Sequence, residues 1–210
     1  MIVVAFDLDD TLVPEALFIK SGIRYIASFI NSRHPGIPVL RIIGAMDTAL
    51  LNHNNHYSAL ESLLDEFHLS DTVDMREIVA EFRSHVPDKT IYHLAPSIVD
   101  MLNGLKNDNE IKIALITDGR SITQRNKIQS ADLYNFFDNS DILISGETGH
   151  DKNDPDNFLH VMKKYAGADE FHYVGDNPPK DFLHPERLGW HTHLVHPFPL
   201  AIHQGIPRYR

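Results

Sequence analysis

Apolar residues run unbroken from Ile2 to Phe6 and stop at Asp7-Leu8-Asp9-Asp10-Thr11, the pattern of a buried strand that ends in a cluster of acids. From Pro14 the spacing becomes helical. Ala16, Ile19, Ile23, Ile26, Ala27 and Ile30 recur at helical intervals, Pro14 suits a helix start, and Pro35-Gly36 ends the run. Further helical patterns cover Ile42, Ile43, Met46, Leu50 and Leu51, then Leu60 to Phe67, then Met75 to Phe82. After Pro96 the texture changes again. Helical stretches at Ile98–Leu105, Ile122–Ser130, Pro155–Tyr165 and just after Pro179 alternate with apolar runs at Ile111–Ile116, Ile142–Ile144, Phe171–Val174 and His193–Val195. Such alternation predicts an α/β fold, a doubly wound parallel sheet covered on both faces. The first strand must join that sheet, so residues 1–13 and 96–210 are expected to form the core and residues 14–95 an inserted helical domain.

In open parallel sheets, ligands bind at the carboxyl ends of the strands. Asp7 and Asp9 follow the first strand, and with Thr11 they share one face if the extended path persists. Thr117, Asp118 and Gly119 follow the second. Lys152 comes after the third, past a Gly-containing loop, and Gly175, Asp176, Asn177 and Asp181 follow the fourth. Neighbouring carboxylates repel unless a cation or a shared proton compensates them, which implies a hard metal, unequal protonation or both, and points to chemistry on an anion. A hydroxyl, an ammonium and several acids at one edge fit phosphoryl transfer, in which oxygen ligands hold Mg²⁺, cations offset phosphate charge and a carboxylate attacks.

These segments resemble the four motifs of the haloacid dehalogenase-like superfamily. Asp7-Leu8-Asp9-Asp10-Thr11 is similar to the first, Thr117 to the second, Lys152 to the third, and Gly175-Asp176-Asn177-Pro178-Pro179-Lys180-Asp181 to the fourth, in the same order along the chain. The resemblance spans nearly the whole chain and implies that the helical insertion is the cap that one subclass carries between its first and second motifs. One departure is Asn153, which follows Lys152 where many relatives have Pro. The resemblance implies a Rossmann-like core and a Mg²⁺-dependent phosphatase that hydrolyses a small phosphorylated metabolite through an aspartyl-phosphate. Asp7 would be the nucleophile, and Asp9 would protonate the leaving oxygen and then deprotonate the water. Thr117, Asp118 and Lys152 form the set implied at the phosphate, although Asp118, like Asp10, also suits a local backbone role. Asp7, Asp9 through its backbone carbonyl, Asp176 and Asp181 form the set implied at Mg²⁺. An acid two positions after the nucleophile is absent from relatives that cleave carbon–halogen or carbon–phosphorus bonds.

Composition narrows the partners. Nineteen Lys and Arg against 29 Asp and Glu give a formal charge of −10 with no basic run, which disfavours nucleic acid. No cysteine is present, so neither disulfides nor a thiol nucleophile enter. The expectation is a cytoplasmic protein without membrane attachment, monomeric or homodimeric, because no signal-like start or long apolar run is seen. Two other functions share these residues. A phosphotransferase such as a sugar-phosphate mutase would keep the aspartyl-phosphate until a second hydroxyl arrived. A non-catalytic phospho-accepting signalling domain also uses acids, a Thr and a Lys, but in another strand order and without a helical insertion. Specificity is expected on the insertion, where Lys20, Arg24, Arg41, His53 and His56 are polar candidates. His53 with His56, and His191 with His193, have spacings that could pair on a metal, with no third ligand alongside.

Overall fold

The computed structural model describes residues 1–52 and 56–195. The apolar run at the N-terminus forms β1 (Ile2–Phe6), followed by four helices, α1 (Glu15–Arg33), α2 (Val39–Asn52), α3 (His56–Glu66) and α4 (Met75–Ser84). Then come α5 (Pro96–Asn107), β2 (Ile111–Thr117), α6 (Ser121–Ser130), β3 (Ile142–Ile144), α7 (Ser145–Thr148) and α8 (Asp156–Lys164). The last elements are β4 (Glu170–Gly175), α9 (Pro178–Asp181), α10 (Leu183–Arg187) and β5 (His191–Leu194). The last strand therefore begins earlier than His193, because Trp190 is buried and pairing starts at once with His172 opposite His191.

All strand pairs are parallel, in the order β3-β2-β1-β4-β5, so the fold is a doubly wound α/β sheet. Its order reverses at β1, which lies between β2 and β4. Phe6 pairs with both Leu115 and Val174, so the residues just past β1 and β4 emerge side by side while β2 runs on to Thr117. This is the switch point at which such sheets bind ligands. Below it, Val3, Ala5, Ala114, Ile116 and Tyr173 pack against Phe158, Val161, Phe182 and Trp190. Edge-to-face contacts of Phe158 with Tyr173 and Trp190, at 5.3 and 5.7 Å between ring centres, hold α8 to that face.

By contacts the chain divides into two compact units, residues 1–18 with 88–210, and residues 19–87. Both divisions fall inside the expected 14–95 interval. At one end α1 starts in the first unit, where Asp10 Oδ1 accepts the Glu15 N–H at 2.9 Å and caps the helix. At the other end Tyr92 is fully buried edge-on against Phe18 in that same unit. The second unit is entirely helical among its described residues. Its core contains Ile23, Ile30, Ile42, Met46, Leu63 and Ile78, and Arg33 grips Glu77 through two N–H···O contacts of 2.5 and 2.7 Å. Among the described residues, no helix is long and apolar enough to cross a membrane.

Candidate active site

The extended path ends at Phe6. Asp7 N–H still donates to Val174 O at 2.9 Å, but the next residues close a turn in which Leu12 and Val13 donate to Leu8 O and Asp10 takes a left-handed φ of 57°. The alternation expected to place Asp7, Asp9 and Thr11 on one face therefore does not persist, and a turn presents Asp9 instead of a strand. Asp7 remains at the sheet edge, 7 % exposed.

Three of the expected residues, Lys152, Asp176 and Asp181, converge around Asp7. Lys152 Nζ lies 2.6 Å from Asp7 Oδ1 and 2.7 Å from Asp181 Oδ1, with 2 % of Lys152 exposed. Asp181 is fully buried, and its Oδ2 accepts the Asn177 N–H at 2.9 Å. Ligand oxygens of Asp7, Asp176 and Asp181 all fall within 4.8 Å of one another. These three and Lys152 line a cavity of about 150 Å³ that Asp9 and Thr117 also reach, with Asp10, Glu15, Asp118, Asn177 and Lys180 completing its walls. An open groove of about 470 Å³ starts at Gly119 and Arg120, but it contains none of the acids around Asp7.

Charge in this cavity is unbalanced. Burial pushes the Asp7 carboxyl up to about 8; Lys152 pulls it down, while Asp181 and Asp9 push it further up. Burial and the neighbouring Asp181 raise Asp176 to about 6. Burial works against the Lys152 charge, yet Asp7 and Asp181 hold that ammonium well above the ordinary lysine value. Burial, reinforced by Asp181 and Asp9, outweighs the pull of Lys152 at Asp7, and the cavity wall carries seven acids, Asp7, Asp9, Asp10, Glu15, Asp118, Asp176 and Asp181, against Lys152 and Lys180. The donor set is therefore hard oxygen with uncompensated negative charge, which fits a divalent hard cation.

Other expected residues of the cavity take partners from α6 and α9. Thr117 Oγ1 accepts from Gln124 Nε2 at 2.7 Å, and Asp9 is held from α6. Asp118 does not present a free carboxylate to an anion. It accepts the Lys152 N–H at 3.2 and 3.3 Å and pairs with Lys180 Nζ at 2.8 Å, which ties the Lys152 loop to α9. His53, one of the histidines whose spacing could pair on a metal, lies outside the described residues, as does the side chain of its partner His56. In the other pair, His193 Nε2 lies 2.9 Å from Nδ1 of His172, and burial followed by His172 lowers its pKa. The sequence reading passed over Gln124, Lys127 and Glu15. The available signal was α6 itself, which buries Gln124, Lys127 and Ser130 beside one Ile instead of an apolar stripe.

Gly175 is a spatial requirement. A Cβ there would lie 2.5 Å from Asp181 Oδ2 and 2.8 Å from its Cγ. Gly175→Ala is expected to displace Asp181, destabilising the protein by about 1–3 kcal/mol in denaturant unfolding and lowering turnover with it. A variant as stable and active as the parent would show that Asp181 is not packed against this backbone.

The Hydrolase family model, described as haloacid dehalogenase-like hydrolase, matches residues 1–183. The chain belongs to this family. Among relatives of the haloacid dehalogenase-like hydrolase, the glyceraldehyde 3-phosphate phosphatase of Methanocaldococcus jannaschii is 25% identical over 200 residues, covering 90% of this chain and 82% of that protein. YfnB of Bacillus subtilis, solved with magnesium bound, superposes with a TM-score of 0.59 at 20% identity over 92% of this chain and 87% of its own. A HAD phosphatase from Thermococcus onnurineus covers all of this hydrolase and 90% of its own chain, with a TM-score of 0.55 at 19% identity. These structural likenesses extend over both units of the chain.

Proposed function

We propose that this hydrolase is a Mg²⁺-dependent phosphatase of small phosphorylated metabolites that works through an aspartyl-phosphate on Asp7. The observation that carries the reading is the buried meeting of Asp7, Asp181 and Lys152 beside Asp176, three carboxylates around one ammonium. The Methanocaldococcus jannaschii relative, a phosphatase of a three-carbon sugar phosphate, supports the substrate class.

In this reading an oxygen of Asp7 attacks phosphorus as the bond to the leaving oxygen breaks, and Asp9 gives that oxygen its proton. Water then attacks the phosphorus of the aspartyl-phosphate, its proton passes to Asp9, and Asp7 is released with inorganic phosphate. Lys152 offsets charge on Asp7 and the transferred group, Thr117 donates its hydroxyl proton to a phosphoryl oxygen, and Asp118 orients the Lys152 loop. Asp7, Asp176 and Asp181, with the Asp9 backbone carbonyl, would hold Mg²⁺, which when bound supplies positive charge for the phosphoryl oxygens. We further propose that residues 14–95 act as the family's cap and select the substrate, with Lys20, Arg24 and Arg41 as exposed polar candidates.

The test is phosphate release across a panel of phosphorylated sugars, trioses and short acids, including glyceraldehyde 3-phosphate, with Mg²⁺ or with excess chelator. The expected result is stoichiometric inorganic phosphate from one group of related substrates, lost on chelation and restored by added Mg²⁺. Full activity in chelator would contradict the metal assignment, and transfer to a second sugar without free phosphate would contradict hydrolysis.

A further inference from the structure

Gln124 and Lys127 lie one turn apart on α6, each only 2 % exposed, and both donate to Asp9. Lys127 Nζ is 2.7 Å from Asp9 Oδ1 and 3.9 Å from Glu15 Oε1, and it lies over the Phe18 ring at 4.4 Å from the ring centre. Gln124 Nε2 donates to Asp9 Oδ2 at 3.0 Å and to Thr117 Oγ1 at 2.7 Å. Each carboxylate oxygen of Asp9 therefore has a donor from the same helix.

The chemistry of the partners fixes the direction of these bonds. A carboxylate only accepts, so the Gln124 side chain must present its NH₂ to Asp9, and the same nitrogen then donates to Thr117. With an incoming hydrogen bond on its oxygen, the Thr117 hydroxyl directs its own proton elsewhere, where a phosphoryl oxygen can accept it. Gly119 gives the Gln124 side chain room: its φ is +148°, and a Cβ there would lie 3.0 Å from Cγ and Cδ of Gln124.

A merely structural pair is the alternative. Buried ion pairs are poor stabilisers compared with apolar residues of similar volume, because taking both charges out of water offsets most of their attraction. An α6 built only to cover the sheet would bury Leu or Met at these positions. Polar groups here have a use if the carboxylate they hold must keep one orientation.

We propose that Gln124 and Lys127 are positioning residues for proton transfer: Lys127 fixes the Asp9 carboxylate, and Gln124 couples it to the Thr117 hydroxyl. The inference rests on the phosphatase reading, with Asp9 as acid and base. The protons are those already described: Asp9 gives one to the leaving oxygen and regains one from water. Neither Gln124 nor Lys127 gains or loses a proton.

Leaving-group dependence tests this. An aryl phosphate such as p-nitrophenyl phosphate expels a stable anion and needs little protonation, whereas an alkyl phosphate needs its leaving oxygen protonated. In Lys127→Met and Gln124→Leu, kcat/KM for an alkyl substrate is expected to fall roughly 10- to 100-fold further than for p-nitrophenyl phosphate, a fraction of the full general-acid effect. In an Asp9→Asn background the same substitutions should add little, since they act through the missing carboxylate. Equal losses on both esters, or fully additive losses with Asp9→Asn, would overturn the proposal. If Lys127→Met does not fold, Gln124→Leu carries the same comparison, with Lys127→Arg expected to restore most of the alkyl rate by keeping the charge. The parent protein separates the two levels of the argument. Phosphate release from neither ester would sink the phosphatase reading and this inference together, whereas release with unselective variant losses sinks only the inference.

Discussion

Asp7→Asn is expected to abolish phosphate release, by on the order of 10⁵-fold or more, while leaving the protein folded. An amide has no anionic oxygen to attack phosphorus, so the covalent step disappears and cannot be bypassed by the other acids. The carbonyl of Asn can still accept from Lys152, so the contact seen at 2.6 Å need not be lost. Stability gives an independent check. Burial raises the Asp7 carboxyl to about 8 from an ordinary value of 3.8, so the folded state binds this proton more tightly than the unfolded one. The resulting stabilisation is complete below about pH 4 and is lost as pH rises through 8. A neutral Asn escapes that loss. Without metal, Asp7→Asn should melt above the parent at pH 8 and level with it at pH 4, whereas Mg²⁺ should stabilise the parent more than the variant. A variant that melts lower at pH 8 would show that Asp7 is satisfied as a carboxylate without a cation.

Lys152→Met is expected to have the other large effect, on stability as well as rate. Its ammonium lies within 2.7 Å of Asp7 and Asp181 and 5.6 Å from the centre of the Tyr173 ring, and the side chain is almost entirely buried. Removing one member of a buried ion pair strands the remaining charge, at a cost of about 3–5 kcal/mol. Without Lys152 the Asp7 carboxyl loses the neighbour that pulls it down and rises further. The deficit should therefore be largest at pH 8 and shrink towards pH 5 as that carboxyl protonates. Denaturant unfolding of parent and variant at both pH values measures it, and phosphate release should fall by roughly 10²- to 10³-fold. A deficit equal at the two pH values would mean that Lys152 acts by packing and not by charge.

The fold was legible because its strands are short apolar runs and most of its helices carry apolar residues at helical spacing, as in α1 and α8. Asp7, Thr117, Lys152, Asp176 and Asp181 could be singled out because each lies at or beyond the carboxyl end of a strand, and parallel strands bring their ends together whatever loops intervene. The orientation of Asp9 could not be read. It depends on a left-handed residue at Asp10, an Asp position with no Gly to announce it, and on two side chains from a helix more than a hundred residues away. Gln124 and Lys127 escaped for a related reason, since hydrophobic periodicity marks a buried face only when that face is apolar, and α6 buries amide, ammonium and hydroxyl instead. Asp118 fell in the set implied at the phosphate while its type favoured a local backbone role, and only the long-range approach of Lys152 and Lys180 shows where its oxygens are engaged. The divisions at 18–19 and 87–88 carry no break in composition, since the first falls within a continuous helix and the second lies close to the buried Tyr92.

Covalent chemistry at Asp7 is best tested by trapping the intermediate. Protein turning over an identified phosphorylated substrate with Mg²⁺ would be quenched, reduced with borohydride so that any aspartyl-phosphate becomes homoserine, digested and mapped by mass spectrometry. Homoserine is expected at residue 7, absent from the Asp7→Asn variant and from samples without substrate. Steady phosphate release with no modified residue, or with homoserine at Asp9, Asp176 or Asp181 instead, would contradict it.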